Sequence, residues 1–173
     1  MGLIKLLINL INPHQPHQPF FDMNYFDKNT LRALLAALPA DRTPQWGMMT
    51  PQHMVEHLAF ATTLSNGKMP MGLAIPEEKV ARAKARLLDP EWQMPQLFKA
   101  AFMPADSLLP LAFGSMEEAV ESLMGQIDDF YEFYAQNPEA APTHTYFGPL
   151  DREEWEVLHH KHFYHHLKQF GAA

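Results

Sequence analysis

Five histidines fall within eight positions of LHHKHFYHHLKQF, Leu158 to Phe170, and two more stand four apart in TPQHMVEHLAF, Thr50 to Phe60. Neutral imidazole is a common ligand for divalent metals, and two imidazoles four apart on a helix can reach one ion. His162 and His166 have that spacing, and so do His53 and His57.

Helical geometry separates these histidines. One residue advances about 100 degrees, so with His159 at zero His162 falls near 300 degrees and His166 near 340. Trp155, Phe163 and Phe170 fall at about 320, 40 and 20 degrees on the same wheel. His159, His162 and His166 therefore share the apolar face, while His160 and His165 lie towards its edges and are read as surface or supporting positions. In the earlier segment, with His57 at zero, His53 falls near 320 degrees, and Leu64, Ala61, Met54 and Phe60 share that side. Each helix thus turns a histidine pair inward.

Several unpaired imidazoles are costly in a core, because each needs a donor and an acceptor. Two arrangements meet that need: a shared divalent ion bound by His57, His162 and His166, or a hydrogen-bonded polar core without metal. Nitrogen ligation suits zinc, nickel or iron, with zinc the default. His53 is a weaker ligand candidate, with a role beside a carboxylate or in a cavity wall as the alternative, and His159 is a second weaker candidate. Glu56 is the one nearby carboxylate with a chemical case. It could orient a ligand histidine, act as general base on bound water, or be a solvated helix glutamate. HMVEH also matches the inverted H-x-x-E-H pattern of some metalloproteases, but that pattern needs a further acidic ligand from a later helix. His144 is placed near a pocket mouth, and His14 and His17, among prolines, are given no chemistry. No phosphate loop, nucleophile elbow or dinucleotide fingerprint is present.

The elements that must position these residues read as helices. Asn29 to Leu38 is rich in helix formers and is closed by Pro39. Thr50 is an N-cap, with Pro51 in the first helical position, of a helix running to about Thr63. Pro76 to Leu88 is a surface helix, and PQLFKAAF, residues 95–102, a further short one. Prolines at 90, 95, 104 and 110 forbid anything long there. Ser115 with Glu118 fits a capping box, followed by Ala119, Leu123, Ile127, Phe130 and Tyr134 at helical spacing. NPEAAPTHTYFGPL is loop. Asp151 with Glu154 opens the last helix, from Arg152 to Phe170, and Gly171 stops it. The expected fold is all-α: a four-helix bundle with a long irregular crossover between its second and third main helices.

The chain has 173 residues and a net charge of -7, enough for one domain and a poor match to nucleic acid. No cysteine is present, which removes disulfides and thiolate ligands. Residues 1–24 read as an N-terminal stub, amphipathic then proline-rich, packed on the body or a partner. Its apolar run is broken by Lys5 and Asn9 and is too short to span a bilayer, and Pro13, Pro16 and Pro19 follow in place of a signal-cleavage site. Residues 25–171 form the single expected domain. A cytoplasmic protein without a transmembrane segment is expected.

WGMMTPQHMVEHL, Trp46 to Leu58, and YFGPLDREEWEVLHHKHFYHHLKQFG, Tyr146 to Gly171, resemble motifs of the DinB/YfiT-like superfamily of metal-binding four-helix bundles. The likeness is greatest to the branch catalogued as a domain of unknown function, DUF1569. The resemblance implies a three-histidine metal site, with one ligand from the second helix, matching His57, and two from the last, matching His162 and His166. Gln169 matches a glutamine that often closes the last motif. Members often dimerise through helices, which implies a homodimer. Some relatives look like S-transferases that use bacillithiol, mycothiol or glutathione, with the metal activating the thiol, whereas the DUF1569 branch has no known activity. His53 stands where glutamine or asparagine is expected.

Two functions from different classes follow as expectations. One is a divalent-metal-dependent enzyme that activates water or a low-molecular-weight thiol for hydrolysis or S-transfer on a small molecule. The other is a non-catalytic bundle that binds a metal or a small molecule, with a regulatory or stress role. An assembly module built on the stub and aromatic surface is a third.

Overall fold

The computed structural model describes residues 23–97 and 108–173. The expectations for the stub at 1–24, all but its last two residues, and for most of the short helix at 95–102 lie outside these residues. Residues 95–97 themselves are not helical.

Among the described residues, five helices carry the fold: α1 Lys28–Ala36, α2 Pro51–Thr63, α3 Glu77–Leu88, α4 Met116–Gln136 and α5 Arg152–Gln169. Each of the four main helices, α1, α2, α4 and α5, starts where a side chain accepts an otherwise unpaired amide. Asp27 accepts from Thr30 N, Thr50 from His53 N, Ser115 from Glu118 N and Asp151 from Glu154 N. The Asp151 and Glu154 capping box is reciprocal. The one read at Ser115 is displaced: Glu118 Oε2 accepts from Gly114 N at 2.9 Å, one residue before the cap.

The architecture is all-α apart from a small hairpin. α2 packs most extensively on α4 and also meets α5, while α1 lies on α4. The α4 positions read from spacing, Ala119, Leu123, Ile127, Phe130 and Tyr134, are all buried. They meet Met54, Val55 and Leu58 of α2 and Trp155, Phe163 and Leu167 of α5 in one core cluster. Each fully buried Val, Leu, Ile, Phe or Met among them contributes about 1.5–3 kcal/mol by removal from water. The crossover between α2 and α4 contains α3, where only Leu87 is buried. No helix of the described residues is long and apolar enough to cross a membrane.

The segment read as loop before α5 holds two antiparallel two-residue strands, β1 Thr143–His144 and β2 Gly148–Pro149. Strands this short carry no period-two signal. Tertiary contacts hold the hairpin in place: Thr145 O accepts from Ala74 N at 2.8 Å, and Pro142 O accepts from Trp155 Nε1 at 3.3 Å.

Candidate metal centre

α2 and α5 bring three imidazoles to one point. His57 Nε2 lies 3.0 Å from His162 Nε2, and His166 Nε2 lies 3.1 Å from the same atom. Among the described residues, these three form the group whose ligand atoms lie together, all within 4.8 Å of one another. His57 and His162 keep partial exposure and His166 is buried.

Three converging ring nitrogens make a poor hydrogen-bond set. His162 Nε2 has either one proton or one in-plane lone pair, yet it faces two neighbours at hydrogen-bond distance. A cation resolves this, because all three nitrogens can then present lone pairs. Two metal–nitrogen bonds of about 2.0–2.1 Å at 90–110 degrees place their nitrogens about 2.9–3.4 Å apart, the separation of the His57–His162 and His162–His166 pairs, while the third pair lies within 4.8 Å. The donor set therefore fits a divalent ion.

The tautomer of His166 is fixed from outside the cluster. Gln169 Nε2 donates to Trp46 O at 2.7 Å, and a carbonyl can only accept. Gln169 must therefore turn its Oε1 to His166 Nδ1, 2.9 Å away, so Nδ1 carries the proton and Nε2 offers its lone pair to the cluster. Burial holds all three imidazoles neutral: His57 is pushed down to about 4, with a smaller push from His165, and His162 and His166 fall well below 6.5. Neutral imidazole is the form that binds metal.

The weaker ligand candidates lie elsewhere. His159 is buried, but its Nε2 meets Ser65 Oγ at 2.7 Å. Ser65 Oγ donates to Thr62 O at 2.8 Å, so it accepts from His159 Nε2–H. This orientation also denies Ser65 the role of an activated nucleophile, because its proton points away from the imidazole. The His159 ring stacks between Phe26 and Trp155, at centroid distances of 4.7 and 5.5 Å. Burial, with a smaller push from His144, takes it down to about 3. His159 is thus a core histidine; the shared apolar face gave its direction without its partner. His53 is also outside the cluster, with Nδ1 2.7 Å from Thr50 Oγ1, the hydroxyl that caps α2.

Glu56 clasps the end of the crossover. Its carboxylate accepts from Ala112 N at 2.7 Å, Phe113 N at 3.3 Å and Gln52 Nε2 at 3.1 Å. It is not a member of the histidine cluster. His144 serves the hairpin: its Nδ1 accepts from Tyr146 N and Phe147 N at 3.2 and 3.3 Å, and its ring stacks on Phe147. His160 Nδ1 accepts from Tyr25 N at 3.3 Å, and the His165 ring leans on Trp46 at 5.7 Å.

Sequence reasoning missed the Trp46 carbonyl and the Ser65 hydroxyl. A backbone acceptor has no signature in residue type, and Ser65 sits in the turn after α2 with no motif around it. Lys161 was unremarked too. It is 4% exposed and donates to Asp89 O and Trp92 O while lying over the Trp92 ring, which pins the crossover to α5 beside His162.

The sequence model of the DinB superfamily matches residues 25–170. No curated protein and no solved structure matches the chain.

Proposed function

From the premise that the chain belongs to the DinB superfamily, we propose that it is a divalent-metal-dependent enzyme whose ion is held by His57, His162 and His166. The observation that carries this reading is the convergence of three neutral Nε2 atoms, two pairs of them at 3.0 and 3.1 Å. Zinc or nickel suits an all-nitrogen set of this kind. Such an ion, when bound, acts as a Lewis acid that lowers the pKa of a coordinated water or thiol. The chain's own residues supply the rest. Gln169 holds the His166 tautomer, and burial keeps the imidazoles unprotonated. We read the reaction as hydrolysis or S-transfer on a small substrate, with a low-molecular-weight thiol as one candidate. The two motifs support placement in the DUF1569 branch; the homodimer follows the family resemblance, and a cytoplasmic location is the default reading.

One observation favours a second reading. With Glu56 engaged by backbone amides, no carboxylate of the described residues belongs to the cluster. A metal- or small-molecule-binding bundle without catalysis needs no such base.

The test is elemental analysis of tag-free protein purified without added metal. One equivalent of ion is expected in the native chain and none in His57→Ala or His166→Ala. A native chain that holds no ion and takes up neither zinc nor nickel would end both readings as metal proteins.

A further inference from the structure

The loop between α1 and α2 grips the last turn of α5. Arg42 Nε donates to Phe170 O at 3.2 Å, and Gln45 N donates to Gln169 O at 2.7 Å. Gln169 returns the contact through its side chain, donating from Nε2 to Trp46 O at 2.7 Å. Gly47, the next residue, has φ +77°, and a Cβ there would stand 2.9 Å from Gln169 Nε2. A side chain at position 47 would therefore strain the backbone and collide with that amide. The amide is the far end of a flexible side chain, so it is the part that would yield. It is also the group that fixes His166.

We infer that Gly47 is a positioning residue for the histidine triad: its missing side chain lets Gln169 reach from Trp46 O to His166 Nδ1. The consequence for metal binding rests on the reading of the triad as a metal site. Gly47 touches none of the three imidazoles; it acts through Gln169. The α1–α2 loop thereby sets which nitrogen of His166 is free. Supporting hydrogen bonds of this kind typically change metal affinity 10–100-fold when removed.

The test compares Gly47→Ala and Gly47→Asn with Gly67→Ala. Asparagine tolerates the left-handed region better than alanine yet carries the same Cβ, which separates collision from backbone strain and guards against a misfolded alanine variant. Gly67 has φ +74°, and its Cβ would meet Phe133 at 2.6 Å, so it provides comparable strain away from Gln169. Two quantities are read: the His166 tautomer in metal-free protein, from long-range proton–nitrogen spectra, and zinc affinity by chelator competition. Both Gly47 variants are expected to lose the single Nδ1–H tautomer and to bind zinc about 10–100-fold more weakly. Gly67→Ala is expected to keep both native values. Adding Gln169→Ala to Gly47→Ala is expected to weaken binding no further, since the two act through one contact. An unchanged His166 tautomer in both Gly47 variants, or an equal change in Gly67→Ala, overturns the inference. Should the native chain take up no zinc, the metal reading fails by itself, and the tautomer in metal-free protein still decides the role of Gly47.

Discussion

His57 Nε2 and His162 Nε2 stand 3.0 Å apart although 105 positions separate them in the chain. The contact joins α2 to α5, and His166 completes it from one turn further along α5. Any ion bound there ties the second helix of the fold to the last, so metal binding and folding are linked.

Zinc should therefore stabilise the native chain. At free zinc 100-fold above Kd, linkage adds about 2.7 kcal/mol, which raises the Tm of a chain this size by about 5–10 °C. His162→Ala removes the shared nitrogen and should melt at the same temperature with zinc or with chelator. Differential scanning fluorimetry reads this directly; an undiminished zinc shift in that variant rejects the triad as the site.

Glu56→Ala separates the clasp from the metal centre. It strips acceptors from Ala112 N and Phe113 N and should cost about 1–2 kcal/mol. Amide exchange at those two positions should quicken, while zinc affinity stays native. A loss of about tenfold or more in zinc affinity would instead make Glu56 a supporting group of the metal centre.

His159→Phe should leave zinc affinity unchanged and alter stability, read by chemical denaturation, by about 1 kcal/mol or less. Phenylalanine keeps the stack between Phe26 and Trp155, and Ser65 keeps its bond to Thr62 O. The exchange also removes His159 Nδ1, a buried nitrogen that has no partner in the described residues. Weakened zinc binding here would return His159 to the ligand set.

Acid should destabilise the fold in part through His144. Burial pushes its imidazole from 6.5 down to about 4. Between those values the unfolded chain binds a proton that the folded chain refuses, so stability falls as pH drops from 6.5 towards 4. The full loss from this group is on the order of 3 kcal/mol, and it stops once both states are protonated. His144→Asn keeps an acceptor for the amides of Tyr146 and Phe147 but cannot titrate. Urea denaturation with chelator present, from pH 7 to 4.5, should show a shallower decline in His144→Asn than in the native chain. The triad titrates in the same direction, so the difference between the two curves is the quantity that counts. Parallel curves would mean that His144 takes up its proton as readily in the fold as in the unfolded chain.

Much of the helical framework was legible in the chain because its determinants are local. Thr50 before Pro51, Ser115, and Asp151 with Glu154 mark helix starts by satisfying amides within a few residues. The apolar positions of α4 declare their buried face through the helical repeat alone. The same repeat turned His57, His162 and His166 inward and demoted His160 and His165. It could not tell His166 from His159, because a helical wheel gives a direction and no neighbour. Packing decided that: α2 and its following turn set His57 against one end of the α5 face and Ser65 against the other. Packing likewise gave Glu56 two backbone amides, and drew the α1–α2 loop over Gln169. Those partners are main-chain groups that every residue carries, so only the path of the folded chain could place them.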